Sequence, residues 1–275
     1  MQYKDIMVYI DDGDSNPERI RAALSLAEAH GARLTGVTMA SIEPAHLKVS
    51  DKKTLAIMCE QEAYKRVEDF ALKAQEHQIE VATSVVKGRD SDASKKLAQF
   101  ARNFDLIILR QANPKYKNAE LVKEIARNVL LLSGRPVFFM PYIGAHRIPC
   151  EKALIAWDGT PAATRAVHDV LPMLECMGEV MILVVQEGKD KTARGELLAD
   201  DLAAHLGRHG VNAIVRRVTA GTFDVPTVIL NQISENDIDL LVMGGYGTPS
   251  LKQKLFGGVT RTILSTMIVP VVMSH

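Results

Sequence analysis

The chain is 275 residues long, 47% hydrophobic and 24% charged, with 33 basic side chains balanced by 33 acidic ones. It has no stretch near the roughly 18 uninterrupted apolar residues of a spanning helix, and no basic surplus that would mark a nucleic-acid or membrane surface: the first 150 residues hold 22 basic to 19 acidic side chains, the rest 11 to 14. Three widely separated cysteines, Cys59, Cys150 and Cys176, exclude a disulfide framework and a CxxC redox pair.

In chain order, MQYKDIMVYIDD reads as a strand with acids where a signal peptide would be apolar, so a cytoplasmic protein is expected. A helix is expected to start at Pro17 behind Asn16. Asp11, Asp12 and Asp14 lack the remaining acids and glycine of a calcium loop, and are taken as support for that helix's dipole. A short strand follows around Gly88, then DLIILR, a helix, and the apolar strand PVFFM. Residues 142–151 carry neither a helical nor a strand period and read as a connector, which sets the boundary near residue 147. The expected domains are therefore 1–147 and 148–275.

In the second half, strands are expected over 153–157, 180–186, 213–218, 240–243 and 271–273. Helices are expected over 161–174, 192–209, 225–235 and 259–265, the first with Thr160 as cap and Pro161 behind it. Alternation of β-branched runs with longer amphipathic stretches is the mark of βαβ units and parallel sheets. The two apolar closing strands, PVFFM and PVVM, are expected to pair with each other, because each would otherwise be an exposed edge.

The halves are copies. Residues 105–141 lie without a gap on 239–275 at a constant offset of 134, and IMVYID ending in Asp11 corresponds to ALIAWD ending in Asp158. In the second copy, the fourth strand runs into GGYGTPSLKQKLFGGVT. This places Gly244, Gly245 and Gly247 at the strand exit, with Gly257, Gly258 and Thr260 at the next helix start. Glycines allow close backbone approach, and first-turn amides suit phosphate. At the aligned positions the first copy has Arg110, Gln111, Asn113, Lys123 and Glu124. A glycine requirement found in one copy alone points to something bound there.

Gly244, two residues, Gly247, nine residues, Gly257 resembles the ATP-binding signature of universal stress proteins, G-x2-G-x9-G-[S/T]. Gly258 departs from it, since the family's ATP binders carry serine or threonine there. The resemblance covers the second half and, more weakly, the first. It implies an α/β fold of two tandem doubly wound parallel five-stranded sheets of order 3-2-1-4-5. It also implies ATP or another adenine nucleotide as cofactor, with Mg as an optional companion. Ala156, Trp157, Asp158 and Val185 would surround the adenosine. Met243 and Gly244 would lie beside the ribose and phosphates, and Gly247, Gly257, Gly258, Val259 and Thr260 would wrap the phosphates. Trp157, where the family has a smaller residue, either stacks on the base or fills its slot.

The expected activity is ATP-responsive stress regulation without catalytic residues, at most slow hydrolysis. The expected partners are the nucleotide and a protein that the sequence does not identify, in an intramolecular pseudo-dimer able to pair again as a homodimer of tandem chains. The alternative is a nucleotide-independent interaction or small-ligand-binding protein. His205 and His209, four apart on a helix, lack a third metal ligand nearby in sequence and read as a solvated face.

Overall fold

The computed structural model describes residues 2–42, 52–186, 194–246 and 258–275. The chain divides into two compact units, Gln2–Arg135 and Pro136–His275. The first contains β1 (Asp5–Tyr9), α1 (Asn16–His30), β2 (Arg33–Ile42), α2 (Lys52–Ala74), β3 (Val81–Arg89), α3 (Asp90–Phe100), β4 (Leu106–Arg110) and α4 (Ala119–Leu132). Its strands run β3-β2-β1-β4, all parallel. These are the first four places of the expected 3-2-1-4-5.

The second unit holds β5 (Val137–Met140), β6 (Lys152–Ala156), α5 (Pro161–Leu174), β7 (Glu179–Gln186), α6 (Arg194–Arg208), β8 (Ala213–Thr219), α7 (Val225–Glu235), β9 (Leu240–Gly244), α8 (Gly258–Thr266) and β10 (Val271–Ser274). Its strands run β8-β7-β6-β9-β10, the complete 3-2-1-4-5 order, with β5 added beside β10. β5 and β10 are the two apolar closing strands. They pair antiparallel with Phe138 opposite Val272, and Val137, Phe138 and Phe139 are fully buried. The compact units thus divide at Arg135, ahead of the expected boundary near residue 147, and β5 and the connector lie with the second half.

The inner strands are buried along almost their whole length: β4 throughout, β6 and β9 except at their ends. A parallel sheet covered on both faces needs such runs, each buried aliphatic side chain contributing about 1.5–3 kcal/mol. Edge strand β8 is mostly half-buried or exposed. Among the described residues no helix is long and apolar enough to cross a membrane.

α5 starts as its sequence directs. Thr160, extended at φ −79° and ψ 158°, accepts a hydrogen bond through its hydroxyl from the Ala163 amide, and Pro161 follows. Thr160→Ala should lower the second unit's unfolding free energy by about 1 kcal/mol in urea titration, the usual cost of a lost cap. α1 differs: Ser15 precedes it without a side-chain cap bond, and Asn16 accepts from Arg19 at 2.7 Å instead of capping.

Candidate functional site

In the second unit β6 and β9 are neighbours, with Ala156 opposite Met243. The strand following β6 in sequence, β7, lies on its other side. Chain winding reverses between β6 and β9, and the carboxyl ends of such strands form the crevice in which doubly wound folds take ligands.

Beyond Ala156, the Trp157 amide donates to the Leu183 carbonyl at 2.9 Å. The indole is 7% exposed, and its Nε1 is buried with no acceptor among the described residues. Asp158 is exposed. Its Oδ1 accepts from the amide and the hydroxyl of Thr160, at 3.0 and 2.7 Å, so it orients the cap while Oδ2 keeps no protein partner among the described residues.

At the β9 exit, a Cβ on Gly244 would lie 2.6 Å from the Ala163 nitrogen and 2.9 Å from the Ala162 carbonyl carbon. Backbone cannot yield at those distances. Gly244 therefore has a packing reason of its own: it lets the first turn of α5 close on β9. The Gly245 amide donates to the Ser274 carbonyl at 2.8 Å. Tyr246 is held at φ 54°, uncommon for a residue with a side chain, while its amide donates to the Thr260 hydroxyl oxygen at 3.1 Å. Thr260 is 4% exposed, so it closes the base of the loop.

Gly258 opens α8, exposed, with open space where a Cβ would stand. Val259 and Val185 are half-buried. Gly247 and Gly257 lie outside the described residues. Ala156, Met243 and Gly244 thus stand at the ends of neighbouring strands and Gly258 and Thr260 in the first turn of α8, and a helix N-terminus has the polarity to receive an anion.

The first unit fills the matching place with its own side chains. Asp11 is 9% exposed. Its Oδ1 accepts from Arg19 Nη2 at 2.8 Å and from the Gly13 amide at 3.1 Å. Its Oδ2 accepts from Arg110 Nε. Arg19 and Arg110 are 0% and 3% exposed, and Arg19 Nε is anchored on the Tyr9 carbonyl at 2.8 Å. Burial resists ionisation of Asp11, but the two guanidinium groups outweigh it and hold its carboxyl below the usual range.

Asp11 is therefore the counter-ion of two buried arginines rather than support for a helix dipole. Arg110 occupies the position aligned with Gly244. Room for it comes from the loop after the first strand, which spans residues 10–15 here against 157–160 in the second unit and so keeps α1 further along the chain from β1. The sequence motif gave no sign of this cluster, since Arg110 and Asp11 stand 99 residues apart.

His168 of α5 supplies a third ring beside His205 of α6 and His209, which lies just past that helix. Its centroid is 5.2 Å from that of His205, which in turn is 4.8 Å from that of His209. Among the described residues, no group of three His, Cys, Asp or Glu side chains is placed to hold a metal ion.

The model of the universal stress protein family matches the chain twice, over residues 2–138 and 150–275. The chain belongs to the universal stress protein family and carries two copies of its domain in tandem. It is similar along 98% of its length to a universal stress protein from Archaeoglobus fulgidus DSM 4304, at 18% identity over 94% of that chain and a TM-score of 0.75. A putative universal stress protein from Pseudomonas aeruginosa UCBPP-PA14 shares 14% identity, with 98% of this chain and 92% of that one covered and a TM-score of 0.62. At these identities the likeness is one of fold. No curated protein matches.

Proposed function

We propose that the chain is an adenine-nucleotide-responsive stress regulator in which only the second half binds the nucleotide, ATP being the expected ligand. One observation carries this reading. At the same place in two copies of one fold, the first unit has a buried guanidinium bound to the strand-end aspartate, and the second has Gly244 beside an exposed Asp158 with no ion pair among the described residues. The first copy's own cation is bound to its strand-end carboxylate. The second copy has no such pair at Asp158 among the described residues, which supports a ligand at its strand ends.

Ala156, Met243 and Val185 would form the apolar side of the adenosine pocket, and Asp158 Oδ2 would accept from the ribose or base. The amides of the segment around Gly247 and Gly257, with those of Gly258 and Val259, would receive the phosphates, and Mg would accompany them from solvent. Function then follows from occupancy: a nucleotide that binds one loop conformation better than others shifts the population presented to a protein partner. Turnover is not needed, and no general base is assigned. A cytoplasmic setting fits a nucleotide sensor of this kind.

A second reading, an interaction protein with no nucleotide, is favoured by the burial of Trp157, which would then fill the base slot. Titrating Mg-ATP into the intact chain while following the fluorescence of this single tryptophan separates the two. The proposed function predicts a saturable change in emission with one equivalent bound. Silence in both fluorescence and calorimetry up to millimolar nucleotide would favour the plug.

A further inference from the structure

The first unit keeps a crevice despite its closed ion-pair cluster. Its volume is about 730 Å³, within the roughly 300–1,000 Å³ of small-molecule sites. One wall is apolar, made by Met39 from β2 and by Leu121, Val122 and Ile125 from α4. The other walls are charged, and the pairing of those charges selects the ligand.

Asp11 is neutralised from behind by Arg19 and Arg110. Asp12 and Glu62 both face Arg66, at 4.0 and 3.5 Å. Every carboxylate of the lining therefore has an arginine. Lys115 and Lys117, exposed on either side of Tyr116 at the rim, have no ion pair among the described residues. The lining itself carries three cations, Arg66, Lys115 and Lys117, against three carboxylates. With the buried Arg19 and Arg110 behind Asp11, every carboxylate faces a guanidinium. The two lysines at the exposed edge of the apolar-walled cavity are the charges left without an ion pair among the described residues.

We propose that this crevice binds a small amphipathic anion, a carboxylate or phosphate monoester carrying an apolar body. Lys115 and Lys117 meet the acidic head, and the Met39, Leu121 and Ile125 wall receives the body. The site differs in chemistry from the nucleotide crevice of the second unit, because it offers lysine ammonium groups and aliphatic surface where that one offers backbone amides. It does not depend on the nucleotide reading.

Calorimetric titration of the full chain tests it, with octanoate and hexyl phosphate as anionic probes and octylammonium and octanol as controls of equal apolar character. One site per chain is expected for each anion, with both controls at least tenfold weaker. The double variant Lys115→Glu/Lys117→Glu should weaken the anions at least tenfold while its melting temperature and its response to Mg-ATP stay unchanged. Leu121→Asn should weaken hexyl phosphate while leaving the order of the probes intact. Equal binding of octylammonium, undiminished anion binding in the double variant, or no binding of either anion would each overturn the proposal. Stoichiometric displacement of octanoate by Mg-ATP would overturn it too, by making the crevice a nucleotide site.

Discussion

Asp11→Asn should destabilise the first unit by about 3–5 kcal/mol, the cost of leaving buried charge without its partner. The carboxylate is the shared counter-ion of Arg19 and Arg110, and an amide at that position would leave two guanidinium groups, both almost wholly buried, facing each other. Asp158→Asn, at the corresponding position of the second unit, should cost less than about 1 kcal/mol, because Asp158 is exposed and holds only a turn. Urea denaturation at pH 7 followed by circular dichroism gives both values, and equal losses would show that the two aspartates have the same role.

The pH dependence follows from the same cluster. Asp11 has a lower pKa folded than unfolded, so the unfolded chain binds the proton more tightly. The stabilisation is fully present above the ordinary carboxylate pKa of about 3.9 and is lost as pH falls through the lower folded value. The amide of the Asp11→Asn variant does not titrate, so the stability difference between wild type and variant should be constant near neutrality and shrink in acid.

The second large effect concerns the glycines. Gly247→Val or Gly257→Val should weaken Mg-ATP binding at least a hundredfold and leave the fold intact, since each puts a branched side chain where backbone would meet phosphate. Gly258→Ser should act in the opposite direction. A Cβ there meets nothing within 4 Å, and the added hydroxyl can donate to a charged phosphate, a bond of about 1.5–3 kcal/mol, or roughly tenfold or more in affinity. Gly244→Ala is a poor test of binding, because its Cβ would strike the backbone of α5 and disturb the unit itself. Calorimetry with a melting curve for each variant separates lost binding from lost structure.

Much of this fold was legible in the sequence because its signals are local or repeated. The apolar runs of β4 and β9, the period of α5 and its Thr160-Pro161 start all announce themselves within a few residues. The constant offset between the halves revealed the tandem. Pairing of β5 with β10 followed from two apolar edges in need of cover.

The candidate site was only half legible. The glycine spacing pointed to a segment most of which lies outside the described residues, and at Gly244, which is described, the reason for glycine is the nearness of Ala162 and Ala163, far earlier in the chain, which no spacing reveals. Asp11 looked like a helix-end acid because its partners are distant: Arg110 is 99 residues away, and a buried arginine reads in sequence like any exposed one. His168 joined His205 and His209 for the same reason. Tertiary juxtaposition of charged or polar side chains leaves no period in the chain.

Native mass spectrometry of the intact protein, as purified and after exchange into excess Mg-ATP, tests the central claim most directly. The account predicts a single added adenine nucleotide per chain, absent from Gly257→Val and retained by Asp11→Asn. Two nucleotides per chain would contradict the division of labour between the halves, and none at any concentration would contradict the nucleotide site itself.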